Sequence, residues 1–248
     1  MVELGDGPRG LWSLPEGSVA AVVSDLPSGE TRAVFDVAPD LAELWPAIWH
    51  ALRRDGKAVL MASSLRFASR LLASQGEHFR HDLVWSKSLA TGHLNASRAP
   101  LRAHEHVLVF SRSVGTFHPQ MVEGASPIHA ARRAHHGENY GPQTRVTHSR
   151  AGATDRFPTS VLEFSSVGTS SRERVHPQQK PVPLLRWLIR SYTDPGDLVA
   201  DPFAGSGSTG EAAEAEGRRF RGWDSSPRFG VGSSTVRRGS RARSCPES

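Results

Sequence analysis

The stretch Leu198–Asp224, "LVADPFAGSGSTGEAAEAEGRRFRGWD", decides the fold. An apolar run, Leu198–Asp201, reads as a strand ending in a carboxylate. Gly205, Gly207 and Gly210 then give the G-x-G-x-x-G spacing, where glycine permits a tight turn and lets a ligand approach the backbone. Thr209–Glu216 reads as a helix and Phe220–Asp224 as a second strand closing on an acid, which suits a ribose diol. No lysine follows the last glycine, so this is not a phosphate-cradling P-loop. Two cofactor classes share the pattern. A nicotinamide enzyme would hold a pyrophosphate on the helix N-terminus. An S-adenosylmethionine enzyme needs instead an acid near the loop for an ammonium group, and Asp201 stands there.

Upstream, the runs Val19–Ser24, Lys57–Ala62, His81–Trp85 and His106–Phe110 read as buried strands. Between them, Leu41, Leu44, Trp45, Ile48 and Leu52 share one helical face. Ser64 is placed to cap a second helix reaching Gln75. Pro181–Tyr192 carries a third, with Leu184, Leu185, Leu188 and Ile189 as its apolar face. Alternating strands and helices predict an α/β domain: a mostly parallel sheet with helices on both faces. The periodicity fails from about Ser111 to Ser171, a segment rich in Gly, Pro, His and Arg. The expected organisation is therefore 1–110 and 172–224 as two parts of one catalytic domain, 111–171 as an irregular insertion, and 225–248 as a largely disordered Ser/Arg/Gly-rich tail.

Composition narrows the function classes. With 38% hydrophobic residues and no apolar run long enough for a span, the chain reads as cytoplasmic with no membrane partner. The lone cysteine, Cys245, excludes a disulfide framework and any multi-thiolate zinc site. His135 and His136 lack convincing metal partners, so no metal is expected. A net charge of +5 suits a polyanionic partner.

The early stretch Val22–Asp36, "VVSDLPSGETRAVFD", ends a strand in Asp25-Leu26-Pro27-Ser28, which reads either as a turn or as a reaction site. Taken with the late block "HPQQKP…DPGDLVADPFAGSGSTG", it resembles the amino-group (adenine-N6 or cytosine-N4) DNA methyltransferases of permuted β-type order. "LVWSKSLATGHLNASRAPLRAHEHVLVF" is similar to the centre of their phage-like branch. The resemblance implies a Rossmann-like, S-adenosylmethionine-dependent methyltransferase fold, with 111–171 as the target-recognition insertion. Asp201, Phe203, Gly205, Ser206 and Gly207 would line the cofactor pocket and Asp224 would hold the ribose. His176, Gln179, Lys180 and Pro181 would form the other wall.

In that reading Asp25 and the Leu26 carbonyl accept the two N–H bonds of an exocyclic amine, while Pro27 stiffens the turn. The base must first be flipped out of the duplex, at a cost of a few kcal/mol. The family's motif aromatic would stack on it, and Ser28 stands in that place. Phe35, Phe67 and Trp85 are the candidate replacements, each also a natural core residue. Lys87, Asn95, Arg98 and Arg102 are candidate phosphate contacts, and Arg132 and Arg133 candidate groove contacts. His104-Glu105 reads as structural. Chain beyond Asp224 lacks a helical pattern, which predicts exposed apolar sheet surface there.

The resulting expectation is site-specific methylation of duplex DNA, at adenine N6 in preference to cytosine N4, as in restriction–modification, with a homodimer and a cognate nuclease as further candidate partners. The alternatives are cytosine N4 methylation, an inactive cofactor- and DNA-binding homologue, a nicotinamide oxidoreductase, and an RNA methyltransferase.

Overall fold

The computed structural model describes residues 2–34, 36–124, 152–166 and 179–226. Phe35, Arg132, Arg133, His135, His136, His176, Cys245 and the tail from 227 onward lie outside the described residues. The chain divides into two compact units, one of residues 1–118 with 160–248 and the other of residues 119–159.

The first unit holds β1 (Val2–Leu4), α1 (Gly7–Trp12), β2 (Val19–Asp25), α2 (Leu41–Ala51), β3 (Leu52–Ala62), α3 (Leu65–Gln75), β4 (Phe79–Thr91) and β5 (Arg102–Phe110). In the second unit, β6 (Val122–Glu123) pairs antiparallel with β7 (Asp155–Arg156). The first unit resumes with β8 (Val161–Phe164), α4 (Val182–Tyr192), β9 (Leu198–Asp201), α5 (Ser208–Ala215) and β10 (Arg219–Asp224). As the sequence suggests, Ser64 caps α3 by accepting from the Phe67 N–H at 3.0 Å. Leu52, expected to complete the apolar face of the first helix, instead caps α2 and opens β3.

One eight-stranded sheet runs β1-β10-β9-β2-β3-β5-β4-β8. All its pairings are parallel except the two made by β5. Strand alternation sends side chains to opposite faces. Val22, Ala58, Leu60, Leu108, Phe110 and Ala200 join one core with Leu11 of α1, Leu44 and Ile48 of α2 and Phe67 of α3. Val23, Val59, Met61, Val107, Val109 and Val199 join the other with Leu184 and Leu188 of α4 and Ala212 of α5. Helices therefore cover both faces, the predicted α/β arrangement.

Two pieces escape the periodicity. β8, inside the stretch read as irregular, pairs with β4 at one sheet edge. β1 pairs with β10 at the other. Two glycines of α1 lie against the cofactor-loop side of the sheet. A Cβ on Gly10 would stand 2.3 Å from the Trp223 ring, and one on Gly7 would stand 2.0 Å from the Pro202 carbonyl oxygen. Glycine allows this approach. Trp223 is buried beneath α1, whereas Leu4, opposite Asp224 on the edge strand, stays exposed.

Candidate active site

Because the strands are mostly parallel, β2, β9 and β10 deliver Asp25, Asp201 and Asp224 to the same end of the sheet. The antiparallel β5 brings its beginning, Arg102–Glu105, to that end as well. Ligands in open α/β sheets bind outside the carboxyl ends of the strands, so this is the expected cleft.

Ser24 and Asp25 diverge, as neighbours on a strand must. The Ser24 hydroxyl donates to Asp201 Oδ1 at 2.6 Å, tying the early motif to the cofactor strand. The Asp25 side chain keeps 22% of its surface exposed and pairs through Oδ2 with the Lys180 ammonium at 2.7 Å. Lys180 also lies 3.0 Å from Glu105 Oε2, and Lys87 lies 3.2 Å from Glu105 Oε1. Charges thus alternate along Asp25, Lys180, Glu105 and Lys87. The Lys180 ammonium sits 5.9 Å from the centroid of the Trp85 ring, within cation–π range.

These contacts tune the titration of the site. Burial raises the Asp25 pKa; Lys180 opposes it, Glu105 and Asp36 add to it, and the net is upward. Burial works against the Lys180 ammonium, but Asp25 and Glu105 outweigh it and hold the lysine charged. Burial likewise acts upward on Glu105, yet Lys180 and Lys87 bring it below the ordinary value. Sequence reasoning assigned Glu105 to structure and missed its place here. Its one signal was a carboxylate just before the apolar run His106–Phe110.

Asp36 organises the loop after the motif. Its carboxylate accepts the backbone N–H groups of Ser28 at 2.7 Å, Gly29 at 2.9 Å and Thr31 at 2.8 Å. The Ser28 hydroxyl adds long contacts to both Asp36 oxygens, at 3.4 and 3.5 Å. Burial opposes ionisation of Asp36, but hydrogen bonds from Thr31, Gly29 and Ser28 bring its pKa down. Leu26 and Ser28 are buried and Pro27 half-buried. Of the aromatics considered as substitutes for the stacking ring, Phe67 and Trp85 are core residues, and the Trp85 indole N–H donates to the Phe164 carbonyl at 2.9 Å.

On the cofactor side, Asp201 is turned inward. Oδ1 accepts from Ser24 and from the Phe203 N–H at 3.0 Å, and Oδ2 from Thr209 at 2.7 Å. The sequence reading had this carboxylate facing an ammonium; the structure makes it the anchor of the loop. Burial pushes its pKa up to about 6 despite these donors, with the Asp25 charge adding to the rise. Asp224 accepts the N–H of Gly205 at 3.0 Å and of Ser226 at 2.8 Å. A carboxylate has about four acceptor sites, so capacity remains for a diol. Gly205 has φ +49°, and a Cβ there would meet nothing within 4 Å, which marks open space above the loop. The Ser206 hydroxyl contacts that of Ser208 at 2.8 Å. Gly207, at φ +80°, starts α5. An acid-lined loop without lysine or arginine fits a cationic sulfonium cofactor such as S-adenosylmethionine. Across the cleft, Pro181 caps α4 and Gln179 precedes Lys180, whose charge faces Asp25 and Glu105.

The candidate DNA contacts divide. Lys87 is held on Glu105 and donates to Thr91 Oγ1 at 3.3 Å, so its ammonium points into the site. Asn95 and Arg98 are exposed on the arm joining β4 to β5, and Arg102, exposed at the start of β5, donates to the Ser63 carbonyl at 2.8 Å. Leu94, in the 3-10 turn His93–Asn95, is fully exposed next to Asn95 in the chain. No group of metal-ligating side chains occurs among the described residues, and no described helix is long and apolar enough to cross a membrane.

A Rossmann-like sheet whose switch point joins an acidic proline motif to a glycine loop defines a methyltransferase architecture. The family model for N6/N4 methyltransferases, described as DNA methylase, matches residues 41–230, and the chain belongs to that family. The chain is 28% identical over 223 residues to the Type II methyltransferase M1.MboII of Moraxella bovis, covering 84% of each. It is 55% identical over 68 residues to the DNA adenine methyltransferase YhdJ of Escherichia coli, but that match spans 27% of this chain and 23% of the relative. Among solved structures, the cytosine-N4-specific PvuII DNA methyltransferase superposes with a TM-score of 0.64 at 20% identity, over 91% of this chain and 82% of its own. Membership of the family sets aside the nicotinamide alternative that the glycine spacing left open.

Proposed function

We propose that the protein methylates the exocyclic amine of a flipped base in duplex DNA, adenine N6 in preference to cytosine N4, using S-adenosylmethionine. The observation that carries this reading is the 2.6 Å bond from Ser24 to Asp201, which couples the strand bearing Asp25 to the strand bearing the cofactor loop. When bound, S-adenosylmethionine supplies an electrophilic methyl carbon whose bonding electrons leave with sulfur. An exocyclic amine is a weak nucleophile because its lone pair is delocalised into the ring. Asp25 accepts one amine N–H and the Leu26 carbonyl the other, favouring a tetrahedral nitrogen with its lone pair on the methyl. Asp25 is also placed to take the surplus proton that the nitrogen carries once its new bond has formed. Asp224 holds the ribose, while Phe203, Gly205, Ser206 and Gly207, with His176, Gln179 and Pro181, line the cofactor. The segment 111–171 recognises the target, with Arg132 and Arg133 in the groove.

Adenine is supported by aspartate at the first motif position and by the similarity to an adenine enzyme. The neighbouring Ser24 hydroxyl is committed to Asp201 and leaves Asp25 to meet the amine. The test is incubation with labelled S-adenosylmethionine and unmethylated DNA, followed by nucleoside mass spectrometry. Label above an Asp25→Ala control, appearing as N6-methyladenine, is expected. No label, or N4-methylcytosine, would overturn activity or base choice respectively.

A second reading, a cofactor- and DNA-binding protein with weakened chemistry, is favoured by Ser28. Calorimetric binding of both ligands without turnover would select it.

A further inference from the structure

Four charged side chains, the candidate acceptor among them, meet in one cluster, and the amine-binding reading uses only that one. Asp25 leaves β2, Glu105 leaves β5, Lys87 leaves β4, and Lys180 stands just before α4. Lys180 contacts both carboxylates, at 2.7 Å and 3.0 Å, and its ammonium is largely buried against Trp85. Glu105 is in turn held from its other oxygen by Lys87 at 3.2 Å.

We propose that Lys180, anchored by Glu105, is a positioning residue for Asp25, fixing Oδ2 so that Oδ1 faces the target amine, and is not a wall of the cofactor pocket. The inference rests on Asp25 being the amine's acceptor. A buried carboxylate can rotate and can neutralise itself by taking a proton. A cation on one oxygen opposes both before transfer, and a lysine is free to drift on its four-carbon stem unless something holds it. Glu105 supplies that hold, and Lys87 keeps Glu105 charged. Asp36 also acts on Asp25, as a negative charge that disfavours its ionisation. Lys180 is therefore the cation that offsets two carboxylates, Glu105 and Asp36, around one acceptor.

The arrangement makes Lys180 and Glu105 act oppositely on the protonation of Asp25. Removing the cation favours the protonated acid, and removing Glu105 favours the carboxylate. The experiment is single-turnover methyl transfer by the full chain, with labelled S-adenosylmethionine and unmethylated DNA, from about pH 5 to 9. Lys180→Met is expected to lower the rate at neutral pH about 10- to 100-fold and move its acid limb up by about one unit, with the KM for S-adenosylmethionine changed less than about threefold. Glu105→Gln is expected to lower the rate by a smaller factor and move the acid limb down. Lys180→Arg, which keeps the charge, is expected to restore the wild-type acid limb.

An acid limb that stays in place in Lys180→Met, or one that moves the same way in both variants, overturns the proposal. So does a tenfold or larger rise in the cofactor KM with the rate kept, which would return Lys180 to the cofactor wall. Should Lys180→Met not fold, Glu105→Gln carries the test, and a limb that fails to move down overturns it. Retained transfer in Asp25→Ala overturns the acceptor reading itself. An inactive Asp25→Ala beside an unshifted Lys180→Met overturns this inference alone.

Discussion

The Ser24 hydroxyl lies 2.6 Å from Asp201 Oδ1, a bond between residues 177 positions apart in the chain. It joins adjacent strands of the sheet at the point where the strand order reverses, and it leaves Asp201 with three protein donors and no exposure to speak of. Asp201 is thus a scaffold for the loop, and its ionisation is linked to stability.

Folding raises the Asp201 pKa from 3.8 to about 6, so the native state binds more protons than the unfolded chain between these values. Stability from this group is present below the lower value and is lost as pH rises through the upper one. The span corresponds to roughly 3 kcal/mol as an order of magnitude. Asp201→Asn is expected to flatten that part of the stability profile, which urea unfolding at several pH values measures. An unchanged slope would argue against the linkage.

Asp36 acts with the opposite sign. Its pKa is depressed, so its contribution holds above the ordinary carboxylate range and is lost as pH falls below it. Asp36→Ala leaves three backbone N–H groups without their acceptor and is expected to cost about 2–4 kcal/mol. The loop from Ser28 to Thr31 should also become a site of limited proteolysis, while equal cleavage of variant and wild type would contradict the anchoring role.

Ser28 offers a gain-of-function test. Its hydroxyl contacts to Asp36 are long, and its N–H holds the loop whatever the side chain, so Ser28→Ala is expected to change stability by less than about 1 kcal/mol. Ser28→Tyr restores a stacking ring and is expected to raise kcat/KM for DNA about 10-fold or more, since such stacking is worth about 1–3 kcal/mol per base. No gain would mean that another ring already stacks the base.

On the arm, Arg98 is expected to contact phosphate. Arg98→Ala should weaken binding similarly for all sequences and reduce the slope of log affinity against log salt by about 1. Fluorescence anisotropy over a salt series measures this. An unchanged slope would place Arg98 off the backbone.

At the glycine contact of α1, Gly10→Ala puts a methyl 2.3 Å from the Trp223 ring. Alanine improves helix propensity by about 1 kcal/mol, but overpacking costs about 1–3 kcal/mol or more, so a lower melting temperature is expected. A melting temperature equal to wild type would mean that α1 shifts freely.

The glycine loop, its flanking strand and helix, and the apolar runs of β2, β3 and β5 were legible because each carries a local period or a turn residue with a physical need. β1 and β8 were not, because three or four residues cannot display a period, and pairing at a sheet edge is a tertiary event. Asp25 was legible as the end of a strand before proline. The network around it was not. Lys180 and Glu105 are 75 positions apart, and only the reversal of β5 brings Glu105 to the carboxyl ends of its neighbours. Lys87 shows the same limit in reverse, since a charge beside a basic arm looks solvated until its counter-ion is located.

The seam between β1–α1 and β10 bears on how the protein is made. β1, the first described strand in chain order, pairs with the last one to be translated. Until Arg219–Asp224 emerges, Leu11 has no Trp223 to pack on and the open edge of β9 can meet strands of other nascent chains. Closing that seam must wait for β10, so lesions at either side of it should show first as poor yield of folded protein in the cell, before any loss of activity in the molecules that do assemble.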